Sequence, residues 1–164
     1  MAENAGGLSP EDWEFWDRWM SAQRRLVLEI DRRLQRRFGI SKAEFSVLVT
    51  LRGAAGGEMR VVELADTLGW DKSRVAHQLT RMEARGLVDR VESGARGRRT
   101  GIRLAKEGRR LAEEAVAEHA AAVREIFFDA VTPAQLEAIG SWSTQMINRA
   151  ARTGREETGR EEEA

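Results

Sequence analysis

From Trp13 to Phe38 the apolar residues Trp13, Trp16, Met20, Val27, Ile30, Leu34 and Phe38 recur at intervals of three, four or seven. That spacing lays one continuous stripe along a helix. Ser9-Pro10-Glu11-Asp12 supplies an N-cap, a proline at the first helical position and two carboxylates in the first turn, and Gly39 supplies the stop. The pattern predicts a helix to Phe38 that is long for a monomeric domain. Ser41-Lys42-Ala43-Glu44 is a capping box opening a second helix with Phe45, Leu48, Val49 and Leu51, which fails at Gly53 and the Gly56-Gly57 pair and gives way to a loop. Val61 to Leu68 reads as a short helix and Gly69-Trp70 as a turn. Asp71 is then the N-cap of a helix with Val75, Leu79 and Met82 on one face, ending near Gly86.

After Gly86 the period changes from helical to alternating. Leu87-Val88-Asp89-Arg90-Val91 and Thr100-Gly101-Ile102-Arg103-Leu104 are strand candidates around a basic, glycine-loosened tip, Ser93 to Arg99. An Ala-rich helix should follow from about Lys106 to Ala130, and Thr132-Pro133-Ala134-Gln135 caps a last helix carrying Leu136, Ile139, Trp142, Met146 and Ile147. From Arg152 no residue is strongly apolar, so the end is expected as a solvated tail. The expected fold is mainly α with a small β-hairpin wing. Its parts are an N-terminal tail over 1–8, a helical region over 9–38 and 106–151, a winged helix-turn-helix over 41–105, and a polar acidic tail over 152–164.

Composition narrows the chemistry. The 164 residues carry 27 Lys+Arg against 27 Asp+Glu, with 41 % hydrophobic residues and no Cys. A core is affordable within about one domain, and disulfides, thiolate nucleophiles and Cys-ligated zinc are excluded. No apolar run reaches the roughly 18 residues of a membrane span, and the acidic start is unlike a signal peptide, so a cytoplasmic location is expected. The balanced total conceals a basic segment: positions 71–110 hold 12 basic and five acidic residues, and the remainder holds 15 against 22. A basic block in an otherwise acidic protein is the footprint of a nucleic-acid-binding face, although a solvated Arg-rich helix would give the same sum.

The order of elements decides between them. Short helix, turn, second helix and basic hairpin is the order of a winged helix-turn-helix. Such a motif needs a small residue where its helices cross, a turn tolerant of unusual backbone angles, and an apolar lock on the second helix; Ala65, Gly69 and Val75 fill these positions. With Val75, Leu79 and Met82 inward, the opposite face shows Ser73, Arg74, His77, Gln78 and Arg81, beside Lys72. Arg can fork onto guanine, Gln onto adenine, and Ser onto a phosphate or base. His77 serves equally as a solvated imidazole. In the wing, Arg96, Arg98 and Arg99 are more suited to phosphates than to reading sequence, because phosphates attract any Arg within reach.

From Val61 to Gly108 the chain resembles the MarR family of bacterial transcriptional regulators, on Glu63 to Val75, Leu79 to Val88, and the wing to Gly108; the flanking helices extend the likeness to nearly the whole chain. The resemblance implies a homodimer whose terminal helices interlock and whose two winged domains reach adjacent major grooves of a pseudo-palindrome, acting as a repressor. One departure stands in the wing. The family's Asp-Arg-Arg falls on Arg96, Gly97 and Arg98, and its Leu-Thr on Leu104-Ala105, so the Asp that braces a wing Arg is absent. In relatives, the cleft between the dimer helices and the winged domain takes small anionic or aromatic effectors, which makes Trp13, Trp16, Met20, Phe45 and His119 candidates for such a pocket. Plain dimer packing explains the same stripe. His119, mid-helix among small alanines, suits packing better than ligation, and two isolated His make no metal set. Neither a cofactor nor an enzyme is indicated: there is no phosphate loop, no Ser-His-Asp ordering and no HExxH. The competing reading is a winged helix used for protein contact, or a constitutive DNA-binding protein without an effector. The former has no need of Arg at 74, 81, 96, 98 and 99 together.

Overall fold

A computed structural model describes residues 7–93 and 99–162 of the chain. The first helix, α1 (Pro10–Phe38), begins with a reciprocal capping box: the Asp12 amide donates to Ser9 Oγ at 3.1 Å, and the Ser9 amide to Asp12 Oδ2 at 3.0 Å. It stops at Gly39, whose left-handed φ of 62° costs a Cβ-free residue nothing. Then come α2 (Lys42–Arg52), β1 (Glu58–Arg60), α3 (Val61–Leu68), α4 (Lys72–Ala84), β2 (Val88–Ser93), β3 (Arg99–Leu104), α5 (Lys106–Ile126) and α6 (Pro133–Glu162). The architecture is mainly helical with a small antiparallel sheet, as the sequence predicts. β3 is the middle strand of the order β1-β3-β2; Arg60 and Val91 both pair with Gly101, and Val88 pairs with Leu104.

The differences from the sequence reading have local causes. The stretch after Gly57 contains a strand, β1, because three residues returning beside the wing satisfy the outer edge of β3 with backbone bonds rather than with an apolar pattern. The Ala-rich helix ends at Ile126, and residues Phe128–Ala130 form a 3₁₀ turn instead of its last turn. The polar end is helical to Glu162, since Arg and Glu are good helix formers without any face to bury. In α2 the buried positions are Glu44, Val47, Leu48 and Leu51, and Val49 lies outside that stripe.

The chain divides into two compact units, one ending at Ala122 and one beginning at Val123. The core of the first unit gathers Leu34 from α1, Val47, Leu48 and Leu51 from α2, Leu64 and Ala65 from α3, and Val75, Leu79 and Met82 from α4. Leu87, Val88, Ile102 and Leu104 from the wing base and Leu111, Ala112 and Ala115 from α5 complete it. The helix-turn-helix therefore stands on the same core as the wing. One buried charge ties this frame together. Glu44, nearly inaccessible, caps α2 through Ser41 and pairs with Arg85 at the end of α4, while Arg85 Nη2 also donates to the Gly39 carbonyl at 3.1 Å. Burial opposes ionisation of Glu44, but the Ser41 amide and hydroxyl and the Arg85 guanidinium outweigh it and hold the carboxyl below its ordinary range.

Candidate nucleic-acid interface

The three positions that define the helix-turn-helix occupy the geometry the motif requires. Ala65 is buried at the crossing and Val75 is fully buried under α4. Gly69, with φ 62°, turns the chain so that the Trp70 amide donates to the Ala65 carbonyl at 3.0 Å. Trp70 is half-buried against the core and fixes the turn that aims α4.

On α4, Lys72, Ser73, Arg74, His77 and Arg81 are all exposed. Among the described residues none of Lys72, Arg74 and Arg81 pairs with a carboxylate. Other arginines of the unit are committed: Arg60 to Glu63, Arg85 to Glu44, Arg90 to Glu83 at 3.0 Å, Arg103 to Asp89 at 3.5 Å and Arg110 to Glu107 and Glu114 at 2.5 Å each. The exposed face of α4 thus presents three cations that no carboxylate occupies. The first turn of α4 adds backbone donors. Asp71 holds the N-cap position, yet its side chain makes no capping hydrogen bond, so it leaves the first-turn N–H groups available to an anion.

Gln78 corrects the sequence reading, which placed it on the exposed face. It is only 9 % exposed, and its Nε2 has no hydrogen-bond partner. The cause is periodicity: 75, 78, 79 and 82 are spaced i, i+3, i+4, i+7, so residue 78 belongs to the inward stripe whatever its polarity.

In the wing, Arg99 is the first residue of β3, paired with Ser93. Arg96 and Arg98 lie outside the described residues.

A feature absent from the sequence reading links the turn to α4. The Arg74 guanidinium carbon lies 4.2 Å from the centroid of the Trp70 ring. The spacing of four residues hinted at it, but Trp70 precedes the helix, where helical neighbour rules do not apply. Both side chains also line a cavity of about 710 Å³ with Leu28, Asp31, Arg32 and Gln35 of α1 and Ser41, Lys42, Ala43 and Ser46 at the start of α2.

None of the five residues expected to line an effector pocket lines this cavity. Trp13 and Trp16 are exposed on the first turns of α1, and Met20 follows one turn later. At 1.5 Å per residue, Trp16 sits about 18 Å along the helix from Leu28, the nearest α1 residue lining the cavity. Phe45 and His119 do meet, with ring centroids 4.8 Å apart. Burial pushes the His119 imidazolium down from its ordinary pKa, with Asp31 opposing and Lys42 adding to the shift. Among the described residues no three His, Asp or Glu side chains gather as a metal site, and no helix is long and apolar enough to cross a membrane.

Residues 34–99 match the model of the MarR family. In solved structures, the fold is similar to that of AbsC, a MarR family transcriptional regulator from Streptomyces coelicolor. That match has 26 % identity, covers 90 % of this chain and 99 % of the other, and gives a TM-score of 0.79. A second Streptomyces coelicolor regulator of that family, solved in complex with DNA, is 28 % identical over 88 % of this chain and 91 % of its own, with a TM-score of 0.77. MarR from E. coli complexed with operator DNA shares the fold at 17 % identity, covering 81 % and 93 %, with a TM-score of 0.68. Comparison with the curated proteins gives no match.

Proposed function

We propose that this chain is a transcriptional regulator of the MarR family, whose model residues 34–99 match and whose solved members have a similar fold, and that it acts in the cytoplasm as a sequence-specific, homodimeric repressor on a pseudo-palindromic operator. A single observation carries the reading: the exposed face of α4 gathers Lys72, Ser73, Arg74, His77 and Arg81 while its cations stay out of the ion pairs that occupy so many arginines around it. Arg74 and Arg81 are the base readers, Lys72 and Ser73 hold phosphate at the helix start, and His77 lies between them. Arg96, Arg98 and Arg99 bring the wing to the backbone and the adjacent minor groove, favouring A·T-rich flanks. Gln78 is left out of this set because it faces the core.

Two further parts of the reading rest on separate observations. Phe15, Trp16 and Leu28 on α1, and Met146 and Ile147 on α6, are large apolar side chains each more than two-fifths exposed, which suits helices that meet a second copy. A dimer sets its half-sites one helical turn apart, about 10 base pairs. The cavity beside Trp70 is large enough for a small aromatic or anionic effector; a ligand that prefers one spacing of the two α4 helices shifts the dimer towards it and releases the operator.

The test is fluorescence anisotropy of the full chain on its own upstream intergenic DNA and on a shuffled duplex, at two salt concentrations. Tight, salt-sensitive preference for the native fragment supports the reading. Equal, weak binding to both refutes a local operator and leaves a winged helix used for protein contact.

A further inference from the structure

Arg74 stands out among the cations of α4 because it is held by a ring instead of by a charge. The guanidinium carbon lies over the indole ring, 4.2 Å from its centroid, a contact with the π face and not with a hydrogen-bond acceptor. The contact therefore spends none of the five N–H donors on a carboxylate. A carboxylate partner would do the opposite: it would fix the side chain by using up the donors. Among the described residues Arg74 has no such partner, whereas Arg85, Arg90 and Arg103 each do.

The ring itself is fixed. Trp70 follows the left-handed Gly69, its amide is bonded to the Ala65 carbonyl at 3.0 Å, and its side chain packs against the core. A platform built on the turn therefore restricts a long, rotamer-rich side chain without satisfying it. The entropy of ordering Arg74 is met before DNA arrives, and its donor edge stays available for guanine O6 and N7 or for a phosphate.

We propose that Trp70 is a positioning residue for DNA recognition, holding Arg74 in its donor-ready orientation by stacking. The proposal rests on the DNA-binding reading above, and concerns one residue that does not itself touch DNA. It predicts coupling between positions 70 and 74, and tolerance of a second aromatic ring.

The experiment has one arm without DNA and one with it. In the free protein, Arg74 δ-methylene protons carry an upfield ring-current shift by NMR that Trp70→Leu removes and Trp70→Phe keeps in reduced form. On the operator, Trp70→Leu weakens binding roughly two- to five-fold, the range of an exposed cation–π contact, and Trp70→Phe recovers most of that loss. In an Arg74→Ala background the same Trp70→Leu change has no further effect. Thermal unfolding of each variant separates positioning from folding. An equal loss from Trp70→Leu with and without Arg74 overturns the proposal and makes Trp70 a packing residue; no loss in either background overturns it as well. If the wild type shows no sequence preference while the ring-current shift is present, the DNA-binding reading fails and the positioning role falls with it. If preference is present and the shift is absent, only the positioning role fails.

Discussion

Gly108, in the first turn of α5, packs directly against the backbone of Leu87. A Cβ there would lie 1.9 Å from the Leu87 carbonyl oxygen, which already accepts the Ala105 amide at 3.1 Å. Glycine to alanine inside a helix normally stabilises by roughly 1 kcal/mol. Here Gly108→Ala should instead cost about 2–4 kcal/mol in urea unfolding, because backbone cannot give way as a flexible side chain does. The buried Nε2 of Gln78 lacks a partner, so Gln78→Met should raise stability by about 1 kcal/mol and leave the ratio of specific to random DNA binding unchanged. A lost preference would return Gln78 to the reading face. Glu44 supplies a pH dependence. Its folded pKa lies below the ordinary 4.5, so its contribution is fully present above that value and is lost as pH falls through the lowered one. The stability gap between wild type and Glu44→Gln should be constant near neutrality and narrow below pH 4.5.

At the scale of elements, helices announced themselves because each carries its own punctuation: Ser9 and Asp12 for α1, Ser41 and Glu44 for α2, Gly69 between α3 and α4. The positions of Ala65, Gly69 and Val75 make the motif legible from the sequence. β1 was not legible, because three residues have no period and its existence depends on β3, some forty positions away. The end of α5 and the helical polar tail were missed for a related reason: neither is decided by burial of an apolar face. In the candidate site, the exposed cations of α4 could be named from sequence, whereas the Trp70 stack and the cavity lining of Arg32 and Lys42 come from elements brought together by the fold. The division of labour between α4 and the wing gives a prediction at this scale. Arg81→Ala should lose about 1–3 kcal/mol of discrimination between the operator and random DNA, while Arg98→Ala should weaken all duplexes alike and flatten the salt slope by about one. Equal losses on both DNAs for Arg81→Ala would move Arg81 to the phosphates.

For the whole molecule, zero net charge coexists with a strongly basic recognition segment, an arrangement that concentrates attraction for DNA on one face and limits it elsewhere. Large apolar side chains exposed on α1 and α6 mark surfaces that a solitary chain gains nothing by presenting to water. Under the proposed function these features belong together, since a dimer built on the terminal helices would carry two α4 faces to successive major grooves. Hydroxyl-radical footprinting of the full chain, on duplexes that it has itself selected from random sequence, tests this most directly. The account predicts an enriched pseudo-palindrome and two symmetric protected patches whose centres are about 10 base pairs apart. Selection that enriches no sequence, or a single asymmetric patch, would contradict it.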